Sequence, residues 1–211
     1  MMTQEQRQFI QIVAALTMLI DHIGAVFFPT VMGFRAIGRL SFPLFAFGIA
    51  EGVAYTHNVR KYLGRILLAA VISQPIYTGL FGLRQGNPLF MLAWGAAALY
   101  LWRREKKAVA GLLLLGAAFV DMSYGWYGVW TIFFFGFYAA RESLCFYGQV
   151  LLNALYGLQT GAWIQILSLF SFGFLDGKWR IPALTRSLPR YFFYVFYPLH
   201  LLALWGIRRM L

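Results

Sequence analysis

The chain has 211 residues, 61% of them hydrophobic and 12% charged, with a formal net charge of +11. Soluble domains are about 45–50% apolar and about 25% charged, so this composition, with a mean hydropathy of +0.66, excludes an ordinary soluble fold. The basic residues lie in short clusters between hydrophobic runs, which argues for a lipid bilayer and against nucleic acid as their partner.

The expected fold class is all-α, a polytopic integral membrane helical bundle of about 8–10 transmembrane helices, because apolar runs of about 17–25 residues span a bilayer core and no alternating strand pattern occurs. One domain is expected over 1–211. After the polar start MMTQEQRQ the first helix is predicted over 8–28. It carries no small-residue cleavage site and reads as a retained helix. Further helices are predicted over 36–55, 62–82, 88–102, 108–121, 126–140, 144–156, 161–175 and 190–208. The fifth, seventh and eighth are short for a full crossing. Cys145 is the single cysteine and can form no internal disulfide.

One alternate set of loops holds Arg60, Lys61 and Arg65; Arg103, Arg104, Lys106 and Lys107; Arg141; and Lys178, Arg180, Arg186 and Arg190. The opposite set holds Arg35 and Arg39 at a helix mouth, and Arg84. By the positive-inside rule the N-terminus is cytoplasmic. Nine helices leave Arg208 and Arg209 outside, so the side of the C-terminus stays open.

Ionisable groups within a membrane span are costly and usually face the protein interior or a water-filled cavity. Asp21 and His22 interrupt the first apolar run in its outer half. Arg35 and Arg39, four residues apart, share one face of the returning helix at the same level. Ser73, Gln74 and Pro75, then Asn87, Asp121 and Tyr124, reach that outer boundary from other helices. Adjacent helical residues point about 100° apart, so Asp21 and His22 each need a separate partner. An Asp–Arg pair that only ties two helices together is the alternative reading, and for Arg35 so is an interfacial anchor that snorkels. Glu51, near Tyr55 and His57, reads as a solvated helix end. His200 follows Tyr197 and Pro198 in the last helix at mid-depth; a neutral imidazole there can accept a proton. No phosphate-binding Gly-rich loop, metal-ligand spacing or Gly-x-Ser-x-Gly elbow occurs, so no metal site is expected.

Together LTMLIDHIGAVFFP, RAIGRLSFPLFAFGIAEG, SQP, YGWYGV and YFFYVFYPLHLLAL resemble the TraX family, polytopic bacterial inner-membrane proteins whose founding member N-acetylates conjugative pilin. The likeness runs from residue 8 to about 206, in order. The family is similar in design to membrane acyltransferases that take acetyl groups from cytoplasmic acetyl-CoA. By motif, the resemblance implies functional roles for Asp21, His22, Arg35, Arg39 and His200.

The expectation is therefore a membrane-embedded acetyltransferase of the bacterial inner membrane. Acetyl-CoA is the expected acyl donor, held at the cytoplasmic face by Arg60, Lys61, Arg103, Arg104, Lys106 and Lys107. The acceptor is an amine or hydroxyl of a pilin, a secreted peptide or a surface sugar, met in a cavity with Gln74, Asn87, Asp121 and Tyr124. His22 is expected as general base, with Asp21 orienting an imidazole or balancing an arginine. Arg35 or Arg39 stabilises the oxyanion; His200 holds the donor side or is itself the base. The alternatives are a transporter using the same buried polar groups and a non-catalytic assembly subunit.

Overall fold

Helix α1 (Gln4–Phe27) starts at Thr3, whose hydroxyl accepts from Gln6 N while the Gln6 side chain accepts from Thr3 N, a reciprocal cap for two orphan donors. The computed structural model describes residues 3–175 and 191–211, so Lys178, Arg180, Arg186 and Arg190 lie outside the described residues. After α1 come α2 (Met32–Gly38), α3 (Ser41–Tyr55), α4 (Val59–Phe81), α5 (Pro88–Arg103) and α6 (Lys107–Gly116). Then follow α7 (Gly125–Phe135), α8 (Glu142–Thr160), a 3-10 segment (Trp163–Ser171), α9 (Phe172–Leu175) and α10 (Phe192–Met210). No strand occurs among the described residues, and the all-α bundle predicted from the sequence is what is found.

Three segments are long and apolar enough to cross a membrane: Gln4–Phe27, Met32–Tyr55 and Val59–Phe81. The other segments of the bundle are shorter or more polar. The second of the three is not one continuous helix, as 36–55 had implied. It breaks at Arg39–Leu40. Pro43 supplies the reason: it has no N–H to give the Arg39 carbonyl, and its ring would clash with that carbonyl in an unbroken helix. Pro88, in contrast, sits at the first turn of α5 behind an Asn87 cap that accepts from Leu89 N at 3.0 Å, where proline is favoured.

Successive segments run in alternating directions between two ends. At the near end, where α1 starts, Arg7 meets Glu51 of α3, Phe9 meets Phe174 of α9, and Arg103 donates to Gly136 O beyond α7. At the far end Gly86 pairs with Met122, Trp126 donates to Gln159, and Arg208 of α10 reaches Leu80 O of α4. Helix α10 thus runs the same way as α1, which places Arg208 and Arg209 at the end opposite the N-terminus. A reporter fused after Lys107 should fall on the side of the N-terminus, and one fused at Leu211 on the other. A C-terminal reporter on the same side as Lys107 would contradict this threading.

The main core joins α3, α5 and α7 through Phe47, Met91, Leu99 and Ile132. A smaller cluster of Met18, Tyr77, Leu80, Tyr197 and Leu201 ties α10 to α1 and α4. Helices approach closely where one side is glycine, as at Gly95, where a Cβ would come within 2.6 Å of Ile132. Such small-residue seams let helices pack in lipid, where burial of apolar surface supplies little attraction between them.

Candidate active site

Two arginines, one in α2 and one just beyond its end, converge on Asp21 of α1. Its Oδ2 accepts from Arg35 Nη1 at 2.7 Å and its Oδ1 from Arg39 Nη2 at 2.8 Å. The face shared by the two arginines is thus the face that meets α1. The two guanidiniums differ in how much capacity they retain. Arg39 is buried, donating also through Nε to Arg35 O and through Nη1 to Gln165 Oε1. Arg35 is one-third exposed, and its Nε and Nη2 hold no partner among the described residues.

His22 turns to a different partner. Its Nδ1 lies 2.8 Å from His200 Nε2, and the two rings are parallel within 5°. His200 Nδ1 lies 2.9 Å from Phe196 O. A carbonyl only accepts, so His200 Nδ1 carries the proton, and in a neutral ring Nε2 then holds the lone pair. His22 Nδ1 must be the donor between the rings. That leaves the second lone pair on His22 Nε2, in the tautomer that a general base requires.

Two cavities meet at Asp21 and His22, and His200 lines neither. One, of about 470 Å³, is lined from Arg7, Tyr55 and Arg65 at the near end through Phe45 and Tyr197 to Asp21 and His22. The other, of about 660 Å³, is lined by Arg35, Arg39, Asp121, Tyr124, Trp126 and Tyr156 at the far end, and again by Asp21 and His22. Asp21 and His22 are reached from both ends of the bundle.

Not every residue singled out from the sequence falls here. Asp121 and Tyr124 line the far cavity, but Gln74 and Asn87 line neither. Gln74 accepts from Asn87 N at 2.9 Å and donates to Gln85 O at 3.0 Å, and Asn87 donates to Ala70 O at 2.8 Å. They fasten the turn between α4 and α5, their direction set by the otherwise orphaned backbone of that turn. Arg60, Lys61, Arg103, Arg104, Lys106 and Lys107 are exposed at the near end and line neither cavity. Glu51 is not a solvated helix end but the partner of Arg7 at 3.2 Å, with its side chain 19% exposed.

Sequence reading missed Gln165, which supports Arg39, and the buried network beyond it: Gln165 donates to Tyr127 OH at 3.3 Å, and Ser168 to Asn153 Oδ1 at 3.2 Å. A signal was present. Gln165, Ser168 and Ser171 recur every three residues in an apolar segment, and a 3-10 helix of three residues per turn stacks them on one face. All three are buried.

Gly38 permits the arrangement. A Cβ there would stand 2.1 Å from Asp21 Oδ1 and 2.3 Å from Asp21 Cβ, whereas at Gly33 of the same helix it would meet nothing within 4 Å. Gly38→Ala should therefore push Asp21 off its arginines, at about 1–3 kcal/mol for the overpacking alone. Gly33→Ala should be neutral or slightly stabilising. Melting temperatures of the two variants, measured together, check this; equal melting would mean that Asp21 shifts at no cost.

Over 141 residues the chain is 29% identical to a Dichelobacter nodosus protein described as a probable fimbrial assembly protein of serogroup H1, covering 59% of this chain and 58% of that relative. The chain thus spans less than two thirds of that relative's length. No solved structure matches. The family model described as TraX protein matches residues 6–208, taking in Asp21, His22, both arginines and His200, and the chain belongs to the TraX family.

Proposed function

We propose that this chain is an acetyl-CoA-dependent acetyltransferase of the bacterial inner membrane, with its near end in the cytoplasm. The observation that supports it most is the meeting of two cavities, reached from opposite ends, at Asp21 and His22. A thioester donor arriving by the near cavity and an acceptor arriving by the far one would face each other there. Holding two reactants in attack geometry lowers the barrier by removing the entropy of encounter.

His22 Nε2 takes the proton of the acceptor amine or hydroxyl as that atom attacks the thioester carbonyl. The new C–N or C–O bond forms, the carbonyl oxygen becomes an oxyanion, and the uncommitted N–H groups of Arg35 stabilise it. Collapse breaks the C–S bond, and the proton on His22 passes to the leaving thiolate. While His22 is protonated, its Nδ1–H continues to donate to His200 Nε2, so His200 is a positioning residue that fixes the tautomer and steadies the ring. Arg39, with three of its nitrogens already engaged, holds Asp21 and the α2–α3 break in place. The fimbrial description of the relative supports an extracytoplasmic pilus-type protein as acceptor, with a secreted peptide or surface sugar as the other candidates.

The test is release of free CoA thiol from acetyl-CoA by purified protein in lipid nanodiscs, with and without an amine acceptor. Acceptor-dependent release is expected. Two cavities sharing a polar neck also suit a transporter, and acceptor flux into vesicles without thiol release would favour that instead. An assembly subunit would show neither.

A further inference from the structure

The donor-side cavity has a charged mouth made by residues other than the exposed loop cations. Arg7 and Arg65 line it together with Glu51, Tyr55 and Tyr194. Each guanidinium lies over a ring, Arg7 at 4.4 Å from the Tyr55 centroid and Arg65 at 6.0 Å from that of Tyr194. Each also keeps a buried Nε without a hydrogen-bond partner among the described residues. Buried guanidinium donors are seldom left unused. Among the described residues the counter-charge at the mouth is Glu51, whose Oε2 stands 3.2 Å from Arg7 Nη2 yet makes no hydrogen bond. The ion pair is loose.

From Arg7 to His22 the cavity follows fifteen residues of α1, about 22 Å at a rise of about 1.5 Å per residue. A small phosphorylated donor seated at the mouth could not deliver its acyl group to His22 across that length. A donor with a phosphorylated head and a slender flexible arm could.

We propose that Arg7 and Arg65, with the faces of Tyr55 and Tyr194, form the seat for the phosphorylated nucleotide head of the acyl donor, and that Glu51 is the anion the head displaces from Arg7. This rests on the acyl-transfer reading above. Guanidiniums match phosphate oxygens through two parallel N–H groups, and the rings offer stacking faces for a base. Glu51 opposes the phosphates, so it sets a threshold: an uncharged donor arm alone gains nothing by displacing it. An anionic lipid headgroup would offer the same phosphate chemistry to the same donors.

The experiment measures binding of CoA and of pantetheine, which lacks the phosphates, to the full chain in nanodiscs of neutral lipid and of lipid with an anionic fraction. Arg7→Gln and Arg65→Gln should each weaken CoA binding by about tenfold or more, the effect of losing one charged hydrogen bond, and leave pantetheine unchanged. Glu51→Gln should tighten CoA. His22→Ala, far from the mouth, should leave CoA affinity as it was. Arginine variants that bind CoA like the parent would overturn the seat while leaving acyl transfer standing, with Arg60 and Lys61 next to test. A parent chain that binds no CoA in either lipid would overturn the acyl-transfer reading itself. Arg65-dependent retention of anionic lipid, unaffected by added CoA, would assign the phosphate to lipid and overturn the donor seat.

Discussion

His22→Ala is expected to abolish acetyl transfer while the protein remains folded, inserted and able to bind CoA. General base catalysis contributes typically 10²–10⁴-fold, and the hydrogen bond from His200 Nδ1 to Phe196 O fixes the tautomers so that the free lone pair of the two rings is on His22 Nε2. The variant is not wholly silent in stability. His200 Nε2 loses its donor, and an orphaned buried acceptor costs about 1–3 kcal/mol, so melting should fall modestly. His200→Ala should behave differently: His22 keeps its ring but loses the group that fixes its tautomer. That variant should lose part of kcat with little change in KM for acetyl-CoA, the pattern of an interaction realised in the transition state. Measuring both rates side by side decides between the two imidazoles. Near-normal turnover in His22→Ala, with turnover lost in His200→Ala, would reverse their roles.

How far this site was legible in the sequence depends on whether an interaction is carried by spacing or by folding. Arg35 and Arg39 were legible because four residues make one helical turn, and both do reach Asp21. The need of Asp21 and His22 for separate partners was legible from the 100° between neighbours, and they have separate partners. The partner of His22 was not, because His200 is 178 residues away and no local rule links α1 to α10. The break after Gly38 was written in Pro43, but a hydropathy run hides it. Helix positions followed from apolar length to within a few residues, from 8–28 for α1 to 190–208 for α10, except for the break inside 36–55 and the 3-10 segment that fills most of 161–175. Direction at a given end of the bundle did not follow: Gln74, Asn87 and Asp121 lie at the same end, yet two of them bind turn backbone and the third lines a cavity. Charge clusters showed which loops share a side but could not show which cations line a cavity. Arg65 stands beside Arg60 and Lys61, and Arg7 stands by itself in the polar start, so neither stood out.

Asp21→Asn should be the most destabilising conservative change in the chain. The carboxylate is the shared counter-ion of two guanidiniums, at 2.7 and 2.8 Å, and the Arg39 side chain is 10% exposed. With Asp21 neutral, two like charges remain side by side where water screens them poorly. Breaking a buried pair by removing one partner costs about 3–5 kcal/mol. Removing Arg39 instead should cost less, because Asp21 keeps Arg35 and the like-charge contact disappears. Arg39→Met should therefore melt above Asp21→Asn, and the double variant should recover part of the loss, since the methionine no longer needs the missing anion. Activity need not follow stability: the double variant keeps His22, His200 and Arg35, so any regained fold should bring back measurable transfer if Arg39 only positions. Thermal melting of the two single variants and the double, with transfer rates on the same preparations, gives the coupling directly. Strictly additive losses would mean that Asp21 and Arg39 do not stabilise one another, and the shared carboxylate would not be what holds the end of α2 against α1.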